Sequence, residues 1–295
     1  MTQRIAIIGG GKIGEALLAG LIKTGKPTKD LVVAEKSTRR AKEITEDYGV
    51  RVTDIPDAVE GANIVVLAVK PGDVDAVLSI IADVEDVGEA ERLTVTLVGG
   101  LPMLKYENAL PAGAPVVRVM PNTPMLVGEA MCGIAAGRYA TDEHVATVVT
   151  LLETVGKVVV VPERQMDAIT ALSGSGPAYV FLLAEAMIDA GVSMGLTRSM
   201  ATELAAQTVR GAGVLLTDSG VSPVDLRAAV TSPAGTTAEA LRELERYGMR
   251  HAVSEAMRAN AAKSEATGRA VLADRKSGSA GMPRPRERSR MPSSA

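Results

Sequence analysis

Tryptophan is missing from this 295-residue sequence, aromatic residues make up 2% of it, and it holds one cysteine, Cys132, and two histidines, His144 and His251. Each shortage removes a class of function. A single cysteine excludes an intramolecular disulfide and fits a reducing compartment. Two histidines exclude a histidine-rich metal centre, and no metal is expected. So few aromatics leave no stacking platform for nucleic-acid bases. The net charge of −3 gives no overall attraction to nucleic acid or to an anionic membrane. No uncharged apolar run reaches the ~18 residues of a membrane span. The first residues lead straight into a strand pattern, without a basic-then-apolar leader. A cytoplasmic protein with neither nucleic-acid nor membrane partners is expected.

The hydrophobic content, 46%, supports a sizeable core. Ile5 to Ile8 form an apolar run that enters Gly9-Gly10-Gly11, and a small/apolar segment follows from Ile13 to Lys23. This reads as a buried strand, a tight turn and a helix, with G-x-G-x-x-G at Gly9, Gly11 and Gly14. Gly9 allows the turn, Gly11 allows backbone to approach a pyrophosphate, and Gly14 allows close helix–strand packing. The N-terminus of the helix, at Lys12 and Ile13, offers N–H groups to phosphate. A bound dinucleotide is expected.

Asp30 to Glu35 reads as the second strand, and Glu35 stands about 20 residues past Gly14, where an acidic residue binds an adenosine ribose. That position favours NAD. Lys36, Ser37, Thr38, Arg39 and Arg40 follow at once, and three cations beside two hydroxyls suit the 2′-phosphate of NADP. We read NADP as the expected cofactor, with NAD use left open. Further strands are expected over 49–52, 62–69, 93–98, 116–120, 134–136 and 157–160, alternating with helices, which makes a doubly wound α/β half. The strand ends at Ala68-Val69-Lys70-Pro71 and Leu97-Val98-Gly99 lie at the carboxyl edge, where ligands meet such sheets.

From about Gln165 the strand-like runs disappear. A Rossmann-type domain over 1–162, an all-α domain over 163–268 and a disordered Arg/Ser/Gly/Pro tail over 269–295 are expected. Ser173 to Pro177 reads as a capped loop. The helix after it, 178–190, is apolar around nearly its whole circumference, so a second subunit is expected to cover it. Thr236-x-x-Glu239 fits a capping box, which would leave the Thr237 hydroxyl free for a ligand. The last helix is expected to stop at Gly268.

Several motifs coincide. Ile8 to Gly14, Ala68-Val69-Lys70-Pro71, Arg118-Val119-Met120-Pro121-Asn122-Thr123-Pro124, Ala171 to Tyr179 and Thr231 to Thr237 together resemble pyrroline-5-carboxylate reductase over roughly residues 3 to 268. The resemblance implies NADPH or NADH with its phosphates on Gly9 to Gly14, adenosine near Lys36, and nicotinamide near Ala68 to Pro71 and Leu97 to Gly99. It implies a small carboxylate-bearing cyclic imine bound by Ser232, Gly235, Thr236 and Thr237. The Thr237 hydroxyl would bond the ring nitrogen, and Glu163 would lie near the substrate. It also implies a homodimer through the helical domain and, in some members, a ring of dimers. Two places depart from the pattern: Ala234 stands where glycine is usual, and Ser219-Gly220 stands where some members carry an acidic residue proposed to relay a proton. Two alternatives remain, a non-catalytic NADP-binding sensor or scaffold and a reductase of a related cyclic imine. A 2-hydroxyacid reductase would want a His or Lys acid, and neither histidine falls in a motif.

Overall fold

Short apolar runs punctuated by glycine and polar turns set up the sheet. The structure, a computed structural model, describes residues 3–84 and 92–279. In chain order its elements are β1 (Ile5–Ile8), α1 (Lys12–Lys23), β2 (Leu31–Ala34), α2 (Thr38–Tyr48), β3 (Arg51–Thr53), α3 (Ile55–Val59), β4 (Ile64–Leu67), α4 (Val74–Asp83), β5 (Leu93–Thr96), α5 (Met103–Glu107), β6 (Val116–Met120), β7 (Ala130–Ala136), α6 (Asp142–Leu152) and β8 (Gly156–Val160). A helical half follows: α7 (Met166–Ile169), α8 (Gly176–Ser193), α9 (Arg198–Asp218), α10 (Pro223–Ala229), α11 (Thr236–Arg246) and α12 (Met249–Ser279). An acidic segment is expected from after Ile81 through Glu91, and from residue 85 it falls outside the described residues.

The strand order is β3-β2-β1-β4-β5-β6-β7-β8, and β1 to β6 are all parallel. β1, β2, β4 and β5 are buried at every residue, as strands covered by helices on both faces should be. Side chains alternate across the sheet. Ile5 and Ile7 join one core with Leu17, Leu18 and Ile44, and Ala6 and Ile8 join the other with Val74, Leu78 and Tyr106. Fully burying a Leu or Ile of this kind contributes roughly 1.5–3 kcal/mol. The order reverses between β1 and β4, so a crevice opens beyond their carboxyl ends.

The alternation of strand and crossover helix expected throughout this half breaks once. β6 and β7 are antiparallel. Only nine residues separate them, and the turn closes on Gly128 with φ +78°. A parallel return needs a crossover of a dozen residues or more, so this connection permits only a reversal.

Two expectations in the helical half are corrected. The segment Ser173–Pro177 is not a loop: Thr170–Gly174 forms a π turn that carries α7 into α8. Ser173 Oγ donates to the Ile169 carbonyl at 3.1 Å and Tyr179 Oη to that of Ala171 at 3.1 Å, which satisfies acceptors the irregular turn frees. The turn also brings Gly174 against Met120, whose Cε would lie 2.4 Å from an added Cβ. In addition, α12 does not stop at Gly268 but runs on to Ser279. Glycine inside a helix costs about 1 kcal/mol, and here Gly268 packs on Pro102 while Val271 packs on the second core, which offsets that cost. The disorder expected of the tail falls, from residue 280, outside the described residues.

α8 and α9 pack together at small residues, with Gly191 facing Ala201. Their other faces stay bare: Phe181 is 65% exposed, Leu182 66% and Leu204 53%. One chain leaves this apolar surface uncovered.

Two buried acids tie the sheet to pH. Burial pushes the Cys132 thiol up to about 11. It pushes the Tyr106 phenol up to about 12, which Thr96 and Arg118 only partly offset. Unfolded, these groups ionise near 9 and 10. The unfolded chain therefore releases protons first, and stability present below pH 9 is lost as pH rises toward 12. We expect a loss of about 2–3 kcal/mol per group. Cys132→Ala should flatten the limb from pH 9 to 11 and Tyr106→Phe the limb from pH 10 to 12. Denaturant titrations across that range check this, and unchanged slopes in both variants would refute it.

Candidate active site

The β1–α1 turn is built from three different uses of glycine. Gly9 holds φ +108° and would place a Cβ 2.7 Å from the Ala68 carbonyl. Gly14 sits against the Gly9 carbonyl, 2.0 Å from where a Cβ would be. Gly11 caps α1 and has no atom within 4 Å of an added Cβ, so backbone is open there to an approaching group. α1 begins at Lys12, so the N–H groups of Lys12, Ile13 and Gly14 have no acceptor within the helix.

These groups border a cleft of about 800 Å³ at the reversal point of the sheet. Of the expected cofactor residues, Gly9, Gly11, Glu35, Lys36, Ala68, Val69 and Lys70 line it. Lys12 and Ile13 open the helix beside it, Gly14 is buried behind the turn, and Pro71 starts a short 3-10 turn. Ser37 Oγ caps α2, and Arg39 is exposed on Glu43 at 2.7 Å. Leu97 and Val98 are buried, Leu97 N–H donating to the Leu67 carbonyl at 2.9 Å. Gly99 has only the Met120 side chain nearby, 3.8 Å from an added Cβ. The opposite wall of the cleft, Val52 to Pro56 and Ala76 to Ile80, was not foreseen. Its signal is topological: β3 lies beside β2 and α4 follows β4.

Arg40, expected beside Arg39 at a 2′-phosphate, is instead held inward, its side chain 22% exposed. Its Nε donates to the Gly10 carbonyl at 2.8 Å, and its guanidinium pairs with Glu15 and, at 3.0 Å, with Glu43. Hydrogen bonding to Arg40 is the main cause holding the Glu43 carboxyl below its usual range. Glu35 uses one oxygen for the Gly10 N–H at 2.9 Å and the other for the Ser37 N–H at 2.8 Å.

Glu163 lies elsewhere, where the two halves meet. Its Oε1 accepts from Arg118 Nη1 at 2.5 Å and from the Met103 N–H at 3.0 Å. Arg118 is 5% exposed, so Glu163 is the counter-charge of a buried cation. A smaller cleft of about 230 Å³ opens here between Gly100–Pro102, this pair and α12.

The expected substrate loop takes an unforeseen form. α11 starts at Thr236 with Gly235 as its cap and no side-chain cap bond, so the Thr236–Glu239 capping box is not formed. Gly235 takes the cap because its bare Cα lies against Ser232, whose Oγ would be 2.4 Å from a Cβ. Both threonines then fall in the first helical turn. Ala234 holds φ +55°, the single positive-φ non-glycine among the described residues. A left-handed Ala costs roughly 1–2 kcal/mol. Ser232, Gly235, Thr236 and Thr237 line neither cleft of the single chain.

Removing one partner of a buried ion pair leaves the other uncompensated. With Glu163 about one-third exposed, we expect Glu163→Ala to cost about 2–4 kcal/mol in denaturant unfolding, and Glu163→Ala with Arg118→Met to recover most of it. Unchanged stability with a raised substrate KM would instead make Glu163 a substrate contact.

Comparison with known proteins agrees across the chain. Residues 163–267 match the family described as pyrroline-5-carboxylate reductase dimerisation, and residues 4–90 match that described as NADP oxidoreductase, coenzyme F420-dependent. The pyrroline-5-carboxylate reductase of Mycobacterium tuberculosis (strain H37Rv) is 50% identical, covering 89% of this chain and 96% of that protein. The structure of a pyrroline-5-carboxylate reductase from Coxiella burnetii superposes with a TM-score of 0.85 at 34% identity, over 90% of this chain and 99% of that one. That of Plasmodium falciparum pyrroline carboxylate reductase, with NADP bound, gives 0.79 at 29% identity, over 90% and 98%. The chain belongs to the pyrroline-5-carboxylate reductase family.

Proposed function

We propose that this chain reduces L-1-pyrroline-5-carboxylate to L-proline with NADPH, the last step of proline biosynthesis. The observation that carries it is a relation at 50% identity over 96% of a pyrroline-5-carboxylate reductase. The open backbone at Gly11 and the free N–H groups at the start of α1 fit a pyrophosphate. NADPH, when bound, supplies a hydride, and NADH is a possible second donor on the same turn. In this reading Gly9 to Gly14 hold the phosphates, Lys36, Ser37 and Arg39 meet the 2′-phosphate, and Ala68–Pro71 with Leu97–Gly99 seat the nicotinamide. Ser232, Gly235 and Thr236 take the substrate carboxylate at the start of α11, and the Thr237 hydroxyl orients the ring nitrogen.

A protonated cyclic imine is already electrophilic, so these residues need only bind and align it. Hydride adds to the imine carbon while nitrogen keeps its proton. Water or Asp218, beside the Ser219-Gly220 departure, replaces any proton lost.

The helical half makes the chain a homo-oligomer, as its match to a dimerisation family supports. The stretch Glu163–Ser193 has the length and mean hydropathy, 1.3, of a membrane span, although its longest uncharged run, 168–184, stays under 18 residues. It lies inside the dimerisation match, and we assign its bare face to a second subunit rather than to lipid. A cytoplasmic location, no nucleic-acid partner and a ring of dimers belong to the same reading. The domain limits proposed are 1–162, 163–268 and a tail beyond. Because Ser232–Thr237 border neither cleft of one chain, we also propose that each loop serves the cofactor cleft of the partner subunit.

Thr237→Val should lower kcat/KM by about 10- to 100-fold, the loss of one hydrogen bond to a charged group, while NADPH affinity measured by calorimetry stays unchanged. Equal turnover in variant and parent would refute the role of Thr237. Gly11→Asp should abolish NADPH binding without disturbing the fold, since its Cβ meets nothing and its carboxylate repels phosphate. Dimers re-formed from a mixture of the two inactive variants should regain about a quarter of parental activity, because half are heterodimers with one intact site. No recovery would place the loop in cis.

A further inference from the structure

Gly10 lies between two of the motif glycines and belongs to none of the three motif positions, yet it is the residue of the turn held by the most side-chain bonds. Its N–H donates to Glu35 Oε2 at 2.9 Å, and its carbonyl accepts from Arg40 Nε at 2.8 Å. An added Cβ would lie 2.3 Å from Ile44 Cδ1, so the peptide sits directly on the buried side of α2. Behind it the network continues. Glu35 Oε1 accepts from the Ser37 N–H at 2.8 Å, Arg40 pairs with Glu15 of α1, and Glu15 accepts from Tyr48 Oη at 3.1 Å. The Arg40 side chain is 22% exposed, whereas those of Arg39 and Lys36 are 83% and 84% exposed.

We propose that Glu35 and Arg40 are positioning residues. They clamp the Gly10 peptide from both sides, hold the turn in its phosphate-ready shape, and leave the reading of the adenosine ribose to other groups. A carboxylate that selects NAD accepts from the ribose 2′-hydroxyl; here each oxygen of Glu35 accepts a backbone N–H, which fixes the side chain against the turn. Arg40 has three partners, two of them carboxylates, and is not available to a phosphate. Lys36 and Arg39 each rest on one surface carboxylate, Asp73 and Glu43. Such pairs are worth about 0–1 kcal/mol and exchange readily for a 2′-phosphate. In this reading the acidic residue at the end of β2 serves the turn, and Lys36 and Arg39 carry the preference for NADP. This inference rests on dinucleotide binding at the turn, not on the identity of the imine.

The test measures NADPH and NADH dissociation constants by calorimetry on the full chain, alongside kcat and KM for each cofactor. In Glu35→Gln the amide nitrogen faces a backbone donor, so one of the two bonds is lost. We expect Glu35→Gln and Arg40→Gln each to weaken both cofactors by the same factor, about tenfold, with kcat at saturation within twofold of the parent. Arg40→Lys should recover part of the loss. The double variant Lys36→Ala, Arg39→Ala should weaken NADPH alone. Loss of NADH affinity alone in Glu35→Gln would make Glu35 a ribose reader and overturn the proposal. Parental affinity for both cofactors in Glu35→Gln and Arg40→Gln would overturn the clamp. Parental binding without turnover on pyrroline-5-carboxylate would fault the proposed reaction and leave this test intact.

Discussion

No side chain fits at Gly14, where a Cβ would stand 2.0 Å from the Gly9 carbonyl, and the placement of the cofactor cleft depends on that contact. Because α1 can press against the end of β1, its free N–H groups open directly onto the reversal point of the sheet. Because Gly9 adopts φ +108°, the chain turns from strand to helix within three residues. Lengthening the contact by one methyl group would lift α1 from the sheet and remove Leu17 and Leu18 from the core they complete. The same close approach thus supports packing and function.

The sheet was legible because its signals are local. Ile5–Ile8, Leu31–Ala34 and Ile64–Leu67 are apolar runs bounded by turn or polar residues, and local pattern suffices for strands buried on both faces. The reversal at β7 was not, since it depends on how far Pro121 to Glu129 can reach. The π turn was not, because Ser-Gly-Ser-Gly-Pro is written in loop residues, and only the docking of Gly174 on Met120 winds it into helix. Gly268 misled in the same way: a helix stop by composition is overridden by Val271 packing in the second core.

At the site, the glycines were legible individually, whereas partners distant in sequence were not. Glu35 and Gly10 are 25 residues apart and Arg118 and Glu163 are 45 apart, and no spacing rule links them. Glu163 matched a family position yet turns its carboxylate to a buried guanidinium. Thr236 matched a capping box yet lies one residue inside the helix, because Gly235 caps without a side chain. In each case tertiary contact decided what the residue touches.

The shortage of histidine and cysteine follows from the kind of work required. Hydride addition to a protonated imine asks for alignment of two bound molecules, and alignment can come from backbone N–H groups, hydroxyls and close packing. The titratable groups of this chain accordingly brace structure: Glu35 and Arg40 hold a peptide, Glu163 neutralises Arg118, and Lys105 pairs with Asp75. The half that folds around the cofactor turn is closed within one chain, while α8 and α9 leave Phe181, Leu182 and Leu204 bare. Those side chains lie within the residues that match a dimerisation family, and a second copy is what covers them.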